Sequence, residues 1–482
     1  MRILFICSDT IETGLDRRMK NYPLNEQAGI QFGISYISSI VKNHGHTTEL
    51  YIISKKRNWH DLNQTIKSFN PGIIACSAVF REYDVINEAA GYIKKKYPNI
   101  LLSAGGVHVT INPQLLTESQ FDVFCVGEGE KPFLEMVTRI ENNESIDTIK
   151  NLWIKKDDKI VRNPTREYIC NLDILPFPDR MMWQKWIKNK NSPHTIIIGR
   201  GCPFQCTYCC NHALNKVATG QYVRFRSPEN IILEIKSILS DFPDTERIYF
   251  EAEAINVNIQ YLSELCEKLQ EFNKVCKKTI MYGANIRIIP SQNYNNIFKM
   301  FLMSNIYFIN IGLESGSERI KKDIMKRSYT NENIISIMKA AKKYRLHTNL
   351  YVMIGLPTET NDDIKKTMEL TRGLEPDNVQ INIFFPYPGT DLYNYCLENN
   401  LISKNLKDHG RCKAVINYPE LSRRKIQKIF FRFLPYVYAS DKFEYLWFCF
   451  LMKVVYSFKI SLLHRYAVKK LNAKIKEKKN KR

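Results

Sequence analysis

Three cysteines stand at CxxxCxxC spacing in one short stretch, Cys202-Pro203-Phe204-Gln205-Cys206-Thr207-Tyr208-Cys209. Thiolates are soft ligands suited to iron–sulfur clusters and zinc, and so short a loop lets three of them converge on one centre. A structural zinc site takes four ligands, and a ferredoxin-type cluster takes four cysteines. Three local cysteines leave one position open, as a 4Fe–4S cluster does when its fourth iron binds a small molecule. Two other chemistries stay open on these residues alone. Neighbouring Cys210 and His212 could complete a zinc site, and clustered thiols can be small buried hydrophobes.

The loop must be carried by something. Thr195-Ile196-Ile197-Ile198 is apolar and β-branched, and Gly199-Arg200-Gly201 ends it, so a buried strand feeds the loop through a glycine-rich turn. A CxxxCxxC loop after a strand, with aromatic Tyr208 before the last cysteine, resembles the signature loop of the radical S-adenosylmethionine (SAM) enzymes. The resemblance implies that Cys202, Cys206 and Cys209 hold a 4Fe–4S cluster and that Tyr208 lies near the SAM adenine. It further implies that the open iron chelates SAM. One electron, from an external donor of the flavodoxin or ferredoxin type, then cleaves SAM to methionine and a 5′-deoxyadenosyl radical.

At 482 residues the chain is long enough for two or three domains. Its 13 cysteines are scattered, with Cys7, Cys76 and Cys125 in or beside apolar runs, so a disulfide framework is not expected and a reducing cytoplasm is. The run Met1–Asp9 is too short for a signal peptide and reads as a first strand. Net charge is +21, and residues 464–482 hold nine Lys/Arg against one Glu. Such a tail is a solvated end or a contact for an anionic membrane surface. Nucleic acid is not an expected partner, because no RNA-binding domain is recognisable.

Residues 1–150 alternate strand and helix signals, with strands at Ile3–Cys7, Thr48–Ile53, Ile73–Ser77, Ile100–Ser103 and Val123–Val126, and helices at Ile34–Asn43 and Val85–Tyr97. That is the pattern of a Rossmann-like open parallel sheet, which binds ligands at the carboxyl ends of its strands. Three strand ends, Pro71–Ser77, Ser103–His108 and Val126–Glu130, resemble the cobalamin-binding domain found in front of many radical SAM cores. The resemblance implies Ser77, Gly105, Gly106, His108, Gly127 and Glu128 as cobalamin contacts. The DxHxxG motif that supplies a histidine ligand to cobalt is absent, so His108 is expected beside the ring and not on the metal. A scaffold that has lost its ligand is the alternative.

Residues 151–193, broken by Asn163-Pro164, Leu175–Pro178 and Ser192-Pro193, read as a connector with the family's "LP-P-R" segment, Leu175–Arg180. From 194 to 395 the alternation resumes with strands at 195–198, 247–251, 279–284, 306–312, 347–354 and 378–384, a partial (β/α)6 barrel. Helical segments fall near 228–240, 259–273, 293–303, 316–325, 332–344 and 361–373. Further family matches imply the SAM site: Glu314 and Ser315 of "G-ESG" for the ribose, the Gly355 backbone of "GLP-E" for the adenine, and Arg287 for the carboxylate. The strand end Pro386–Thr390 matches "P-PGT". Relatives show two adjacent acids after the second strand, where this chain has Glu251-Ala252-Glu253; Glu253 is preferred for the SAM amino group, with Glu251 as the alternative.

Residues 396–482 read as a helical C-terminal region with a basic tail. Tyr445–Leu463 is apolar, but Lys453 and Lys459 interrupt it, which argues against a membrane span and for a helix packed on the barrel or lying on a membrane surface. Together these features resemble the class B cobalamin-dependent radical SAM methyltransferases. The expected activity is methylation of an unactivated carbon in a small molecule or natural-product intermediate. The alternatives are a cobalamin-dependent cyclisation or rearrangement, and a non-catalytic Fe–S electron-transfer module.

Overall fold

The computed structural model describes residues 1–8, 30–54, 57–157, 159–187, 193–402, 406, 411–441 and 443–450. Strands β1 (Arg2–Ser8), β2 (Thr47–Ile53), β3 (Ile73–Ser77), β4 (Leu101–Gly105) and β5 (Val123–Cys125) pair in parallel in the order β2-β1-β3-β4-β5. Side chains alternate across a strand, so a parallel sheet covered on both faces reads as a continuous apolar run. Leu4, Ile6 and Ile74 enter one core, while Ile3, Phe5, Ile73 and Ala75 enter the other. Strand order reverses between β1 and β3, the point at which such sheets open a ligand crevice.

The sheet runs past the expected boundary at residue 150. Strands β6 (Leu152–Lys156) and β7 (Lys159–Arg162) form a hairpin that extends it antiparallel from β5. Leu152 and Ile154 complete one core while Trp153 and Ile160 lie against the other, so period-two burial makes this stretch strand and not connector. The irregular chain begins only at Asn163-Pro164. The helix expected from Val85 starts at Phe80, where the Glu82 carboxylate accepts the Val79 N–H at 3.5 Å.

The second unit opens with β8 (His194–Ile197) and a two-stranded antiparallel pair, β9 (Gly199–Arg200) with β10 (Arg224–Phe225). Strands β11 (Arg247–Glu251), β12 (Met281–Ile286), β13 (Ile306–Glu314), β14 (His347–Ile354) and β15 (Asn378–Ile383) continue it. The six-stranded sheet is parallel throughout in the order β15-β14-β13-β12-β11-β8, so it winds in chain order as the expected partial barrel does. Helices Pro228–Asp241, Ile259–Val275, Tyr294–Met303, Asn331–Lys343 and Asn361–Leu374 follow successive strands. Where a helix was expected at 316–325, Ile320–Ile324 forms one π-helical turn.

Helix Arg423–Tyr438 adds Ile426, Phe430 and Phe433 to the barrel's outer core. Of the apolar stretch Tyr445–Leu463, only Tyr445–Phe450 lies within the described residues; the basic tail lies outside them. No helix among the described residues is long and apolar enough to cross a membrane.

The "LP-P-R" segment is tied to the barrel by charge. Arg180 donates to Glu234 Oε1 at 2.5 Å, Arg226 donates to Glu234 Oε2, and Glu234 is 1% exposed. Removing the shared carboxylate strands two buried cations. Glu234→Ala is therefore expected to cost about 3–5 kcal/mol in chemical denaturation.

Candidate active site between the two sheets

The cysteine loop leaves the barrel beside β9 and is fastened at its far side. Thr207 O accepts the Leu392 N–H at 3.0 Å, and His212 Nε2 lies 3.0 Å from Asp391 Oδ1. None of the thirteen cysteines is joined in a disulfide. Cys206 is buried; Cys202 and Cys209 are half-buried. Hydrogen bonding from the Cys210 thiol, opposed by burial and aided by the Asn211 backbone and amide, holds Cys209 down to about 6, which favours the thiolate that ligates metal. Burial pushes Cys202 up to about 11.

Among the described residues no three His, Cys, Asp or Glu side chains are grouped to hold a single metal ion, and His212 is turned to Asp391. Thiolates of a 4Fe–4S cluster bind separate irons and need no such convergence, so the three-cysteine loop fits a cluster.

Two glutamates just after β5, Glu128 in the loop and Glu130 at the start of helix Glu130–Glu141, hold two arginines of the β9–β10 pair. Arg224 forks onto Glu128, with Nη1 to Oε2 at 3.1 Å and Nη2 to Oε1 at 2.9 Å. Arg200 Nη1 reaches Glu128 Oε1 at 3.0 Å and its Nη2 reaches Glu130 Oε1 at 2.5 Å. Glu128 also accepts the Ile169 N–H at 2.9 Å. Burial alone would push Glu128 up, but the hydrogen bond from Arg224 and the charge of Arg200 hold it below its ordinary value. Neither arginine nor Glu130 was singled out from the sequence. The available signal was an arginine between two glycines directly before the cysteines.

This docking lines a half-open cavity of about 390 Å³. Phe5, Ala75, Ser77, Gly105, Gly106, Gly127 and Glu128 line it from the first unit; Arg200, Asn211, Tyr222, Glu251 and Glu253 line it from the second. The wall is cut close to the backbone. Gly106 sits at φ +97°, and a Cβ there would meet Ala78 O at 2.8 Å. A mostly apolar cleft at glycine-ended strands of a doubly wound sheet fits a flat macrocycle such as cobalamin. Five of the six expected contacts reach it. His108 does not: it packs between Phe80 and Tyr83, at 5.3 and 5.0 Å between ring centroids, and burial lowers it to about 4. In the turn after Gly106, Val107 faces the cavity while His108 faces the core.

At the barrel mouth the structure brings both acids, Glu251 and Glu253, to the cavity. Burial, and then the charge of Glu253, pushes Glu251 up to about 7 against a hydrogen bond from Asn285. Strand register sets Asn285, Asn310, Asn349 and Asn378 side by side across β12–β15. Their amides run head to tail: Asn349 donates to Asn310 at 2.9 Å, Asn310 to Asn285 at 3.1 Å, and Asn285 to Glu251 Oε1 at 3.1 Å. Tyr208 is half-buried against the barrel core beside Arg327 and Glu314.

Other expected SAM contacts are already engaged within the protein. Ser315 is fully buried and pairs with Thr367 Oγ1 at 3.2 Å. Glu314, at φ +58°, lies 3.5 Å from Arg327 Nη2. The Gly355 N–H goes to Glu359 at 2.5 Å and its carbonyl accepts from Tyr418 at 3.1 Å. Arg287 lies on the cysteine loop itself, its Nη2 3.3 Å from Cys206 Sγ.

Comparison with known proteins agrees with this architecture. The family model for the radical SAM superfamily matches residues 196–371, and that for the B12 binding domain matches residues 26–137. The chain thus carries a B12-binding domain followed by a radical SAM domain. It is 26% identical over 429 residues to an uncharacterized methyltransferase of Pyrococcus horikoshii, covering 86% of this chain and 91% of that one. It is 22% identical over 435 residues to the anaerobic magnesium-protoporphyrin IX monomethyl ester cyclase of Rubrivivax gelatinosus, covering 85% and 75%. Among solved structures, the radical SAM methyltransferase TsrM of Kitasatospora setae, with tryptophan substrate and a SAM analogue, aligns with TM-score 0.65 at 14% identity, covering 83% of this chain and 76% of that one. The cobalamin-dependent SAM radical enzyme OxsB, with aqua-cobalamin bound, aligns with TM-score 0.68 at 14% identity, covering 97% and 72%. These two share the fold.

Glu128→Ala should cost about 3–5 kcal/mol by leaving Arg224 without a carboxylate and Arg200 with Glu130 alone. Because the folded protein holds Glu128 below its ordinary 4.5, its stabilisation is present above that pH and is lost as pH falls through the lowered value. Denaturation of wild type and variant from neutral pH into acid should show their difference shrinking below 4.5.

Proposed function

We propose that this protein is a cobalamin-dependent radical SAM methyltransferase acting on a carbon of a small molecule. The observation that carries the reading is the shared cavity. It is walled on one side by the strand ends of a B12-binding sheet and on the other by the barrel mouth, next to the three-cysteine loop. When bound, the cluster supplies the electron that cleaves SAM, and cobalamin supplies a methyl carrier.

The chain's own residues then have distinct tasks. Cys202, Cys206 and Cys209 hold the cluster. Ser77, Gly105, Gly106 and Gly127 form the wall against the corrin. Glu253, exposed at the mouth, takes the SAM amino group. Tyr208, half-buried on the barrel core, forms the adenine side. Glu251, oriented by Asn285, offers the substrate a hydrogen-bonding carboxyl where the polar barrel interior meets the apolar cavity. An external one-electron donor of the flavodoxin or ferredoxin type completes the system.

The test is anaerobic reconstitution with iron, sulfide and cobalamin, reduction with dithionite, and chromatography of the nucleosides formed from SAM. We expect 5′-deoxyadenosine from wild type and none from Cys206→Ala. With a substrate in hand, a methylated product with S-adenosylhomocysteine supports methyl transfer; a rearranged product without it would favour a cyclase. Uptake of zinc and no cluster would sink the reading. Because Glu251 is pushed up to about 7, the wild-type rate should carry an inflection near that pH which Glu251→Gln lacks.

A further inference from the structure

The end of β12 carries a device that carboxylate binding by Arg287 does not require. The guanidinium lies 3.7 Å from the centroid of the Phe204 ring, and Nη2 donates to Cys206 Sγ at 3.3 Å. Phe204 and Cys206 both belong to the cysteine loop, so one side chain grips that loop twice. The backbone beneath it is held just as closely. Arg287 N–H donates to Asn256 Oδ1 at 2.9 Å, and Arg287 C=O accepts from Asn256 Nδ2 and from Tyr294 Oη, each at 2.8 Å.

Asn256 is itself fully buried and locked. Its Nδ2 also donates to Gln292 Oε1 at 2.6 Å, and its carbonyl accepts from Gln292 Nε2 at 2.5 Å. An asparagine that spends both ends of its amide on one residue's backbone fixes where that residue's side chain begins. A free arginine would lose much rotamer freedom on reaching a thiol. Here the pinned backbone and the ring beneath the guanidinium remove most of that loss in advance.

We propose that Arg287 is a positioning residue that sets the reduction potential of the cluster held by Cys202, Cys206 and Cys209, acting through the Cys206 thiolate. Reduction adds a negative charge to the cluster. A donated N–H and a fixed cation at one ligand sulfur favour that more negative state and raise the potential; hydrogen bonds to sulfur are among the levers that set it. The second arginine nearby, Arg327, is committed to Gly312 O at 2.6 Å and to Glu314, which leaves Arg287 as the cation in contact with the sulfur.

The test uses full-length protein reconstituted anaerobically with iron and sulfide. Its potential is read by redox titration followed by electron paramagnetic resonance, and SAM affinity is measured separately at equilibrium. Arg287→Gln should make one-electron reduction about tenfold less favourable, about 59 mV more negative, with SAM affinity unchanged within about twofold. Arg287→Lys, which keeps the charge and loses the planar stack, should recover part of the shift, and decides the matter if the Gln variant takes up no cluster. Asn256→Ala, which keeps Arg287 but frees its backbone, should give a smaller shift in the same direction. An unchanged potential with a large loss of SAM affinity would overturn the proposal and assign Arg287 to the SAM carboxylate. Unchanged potential and affinity would reduce it to loop packing. A wild type that takes up no cluster would sink the family-level reading, and this proposal with it.

Discussion

The two halves of the site are held together by four charges, Glu128 and Glu130 just after β5 and Arg200 and Arg224 on the β9–β10 pair. Taking such groups out of water is expensive, and a buried ion pair often stabilises a fold no better than apolar residues of the same shape. What the network supplies is geometry. Arg224 forks onto one carboxylate and Arg200 divides its fork between two, so sliding or tilting one sheet against the other breaks several charge-assisted bonds together. Aromatic faces complete the shell, with Arg200 over Tyr36 at 5.4 Å and Arg224 over Tyr168 at 4.9 Å. Two units with separate cores share one half-open cavity, and the cysteine loop starts two residues after the first arginine.

The glycines around that arginine follow from the same demand. Strand β9 must lie against β10 closely enough for Arg200 and Arg224 to reach the same carboxylate. A Cβ on Gly199 would meet the Phe225 ring at 2.7 Å, and one on Gly201, at φ +87°, would meet Tyr222 O at 2.2 Å. Side chains at either position would push the hairpin apart. Gly312 shows the same logic across the barrel, since a Cβ there would stand 2.7 Å from Glu314 Oε1 and block the ion pair with Arg327. Glycine in these motifs therefore serves the approach of protein to protein as much as the approach of a ligand.

That distinction marks how far the site was legible in the sequence. Strand and helix periods are local, so the parallel first sheet, the six barrel strands and the cysteine triad are written in short stretches of chain. The Glu128–Arg224 pair spans 96 residues and no local period announces it. The asparagine row across β12–β15 exists only once strand register is known, because the four residues are spaced irregularly along the chain. His108 matched a strand-end motif, yet the turn after Gly106 carries its neighbour to the cavity and His108 itself to the core. Ser315 and Gly355 matched motifs too, and their polar groups are spent holding the turns on which they sit. The hairpin at 152–162 was hidden because its prolines lie after it and not within it.

The barrel and the first sheet offer unlike surfaces to whatever lies between them. Across the cavity the wall is largely glycine and apolar side chain, with Ser77, Ser103 and Thr110 among them, which suits a large flat group. Inside the barrel the row is amide, and its hydrogen bonds point one way, from Asn349 through Asn310 and Asn285 to Glu251. A chain of aligned amides polarises its members and delivers donors to the last acceptor, which favours the ionised carboxylate. Burial and the neighbouring charge of Glu253 work against that, and the balance falls near neutrality. A carboxyl fixed in direction but undecided in charge stands where the polar interior meets the apolar cavity. Its neighbour Glu253 is exposed, free of that row and better placed to answer to a charged ligand at the mouth.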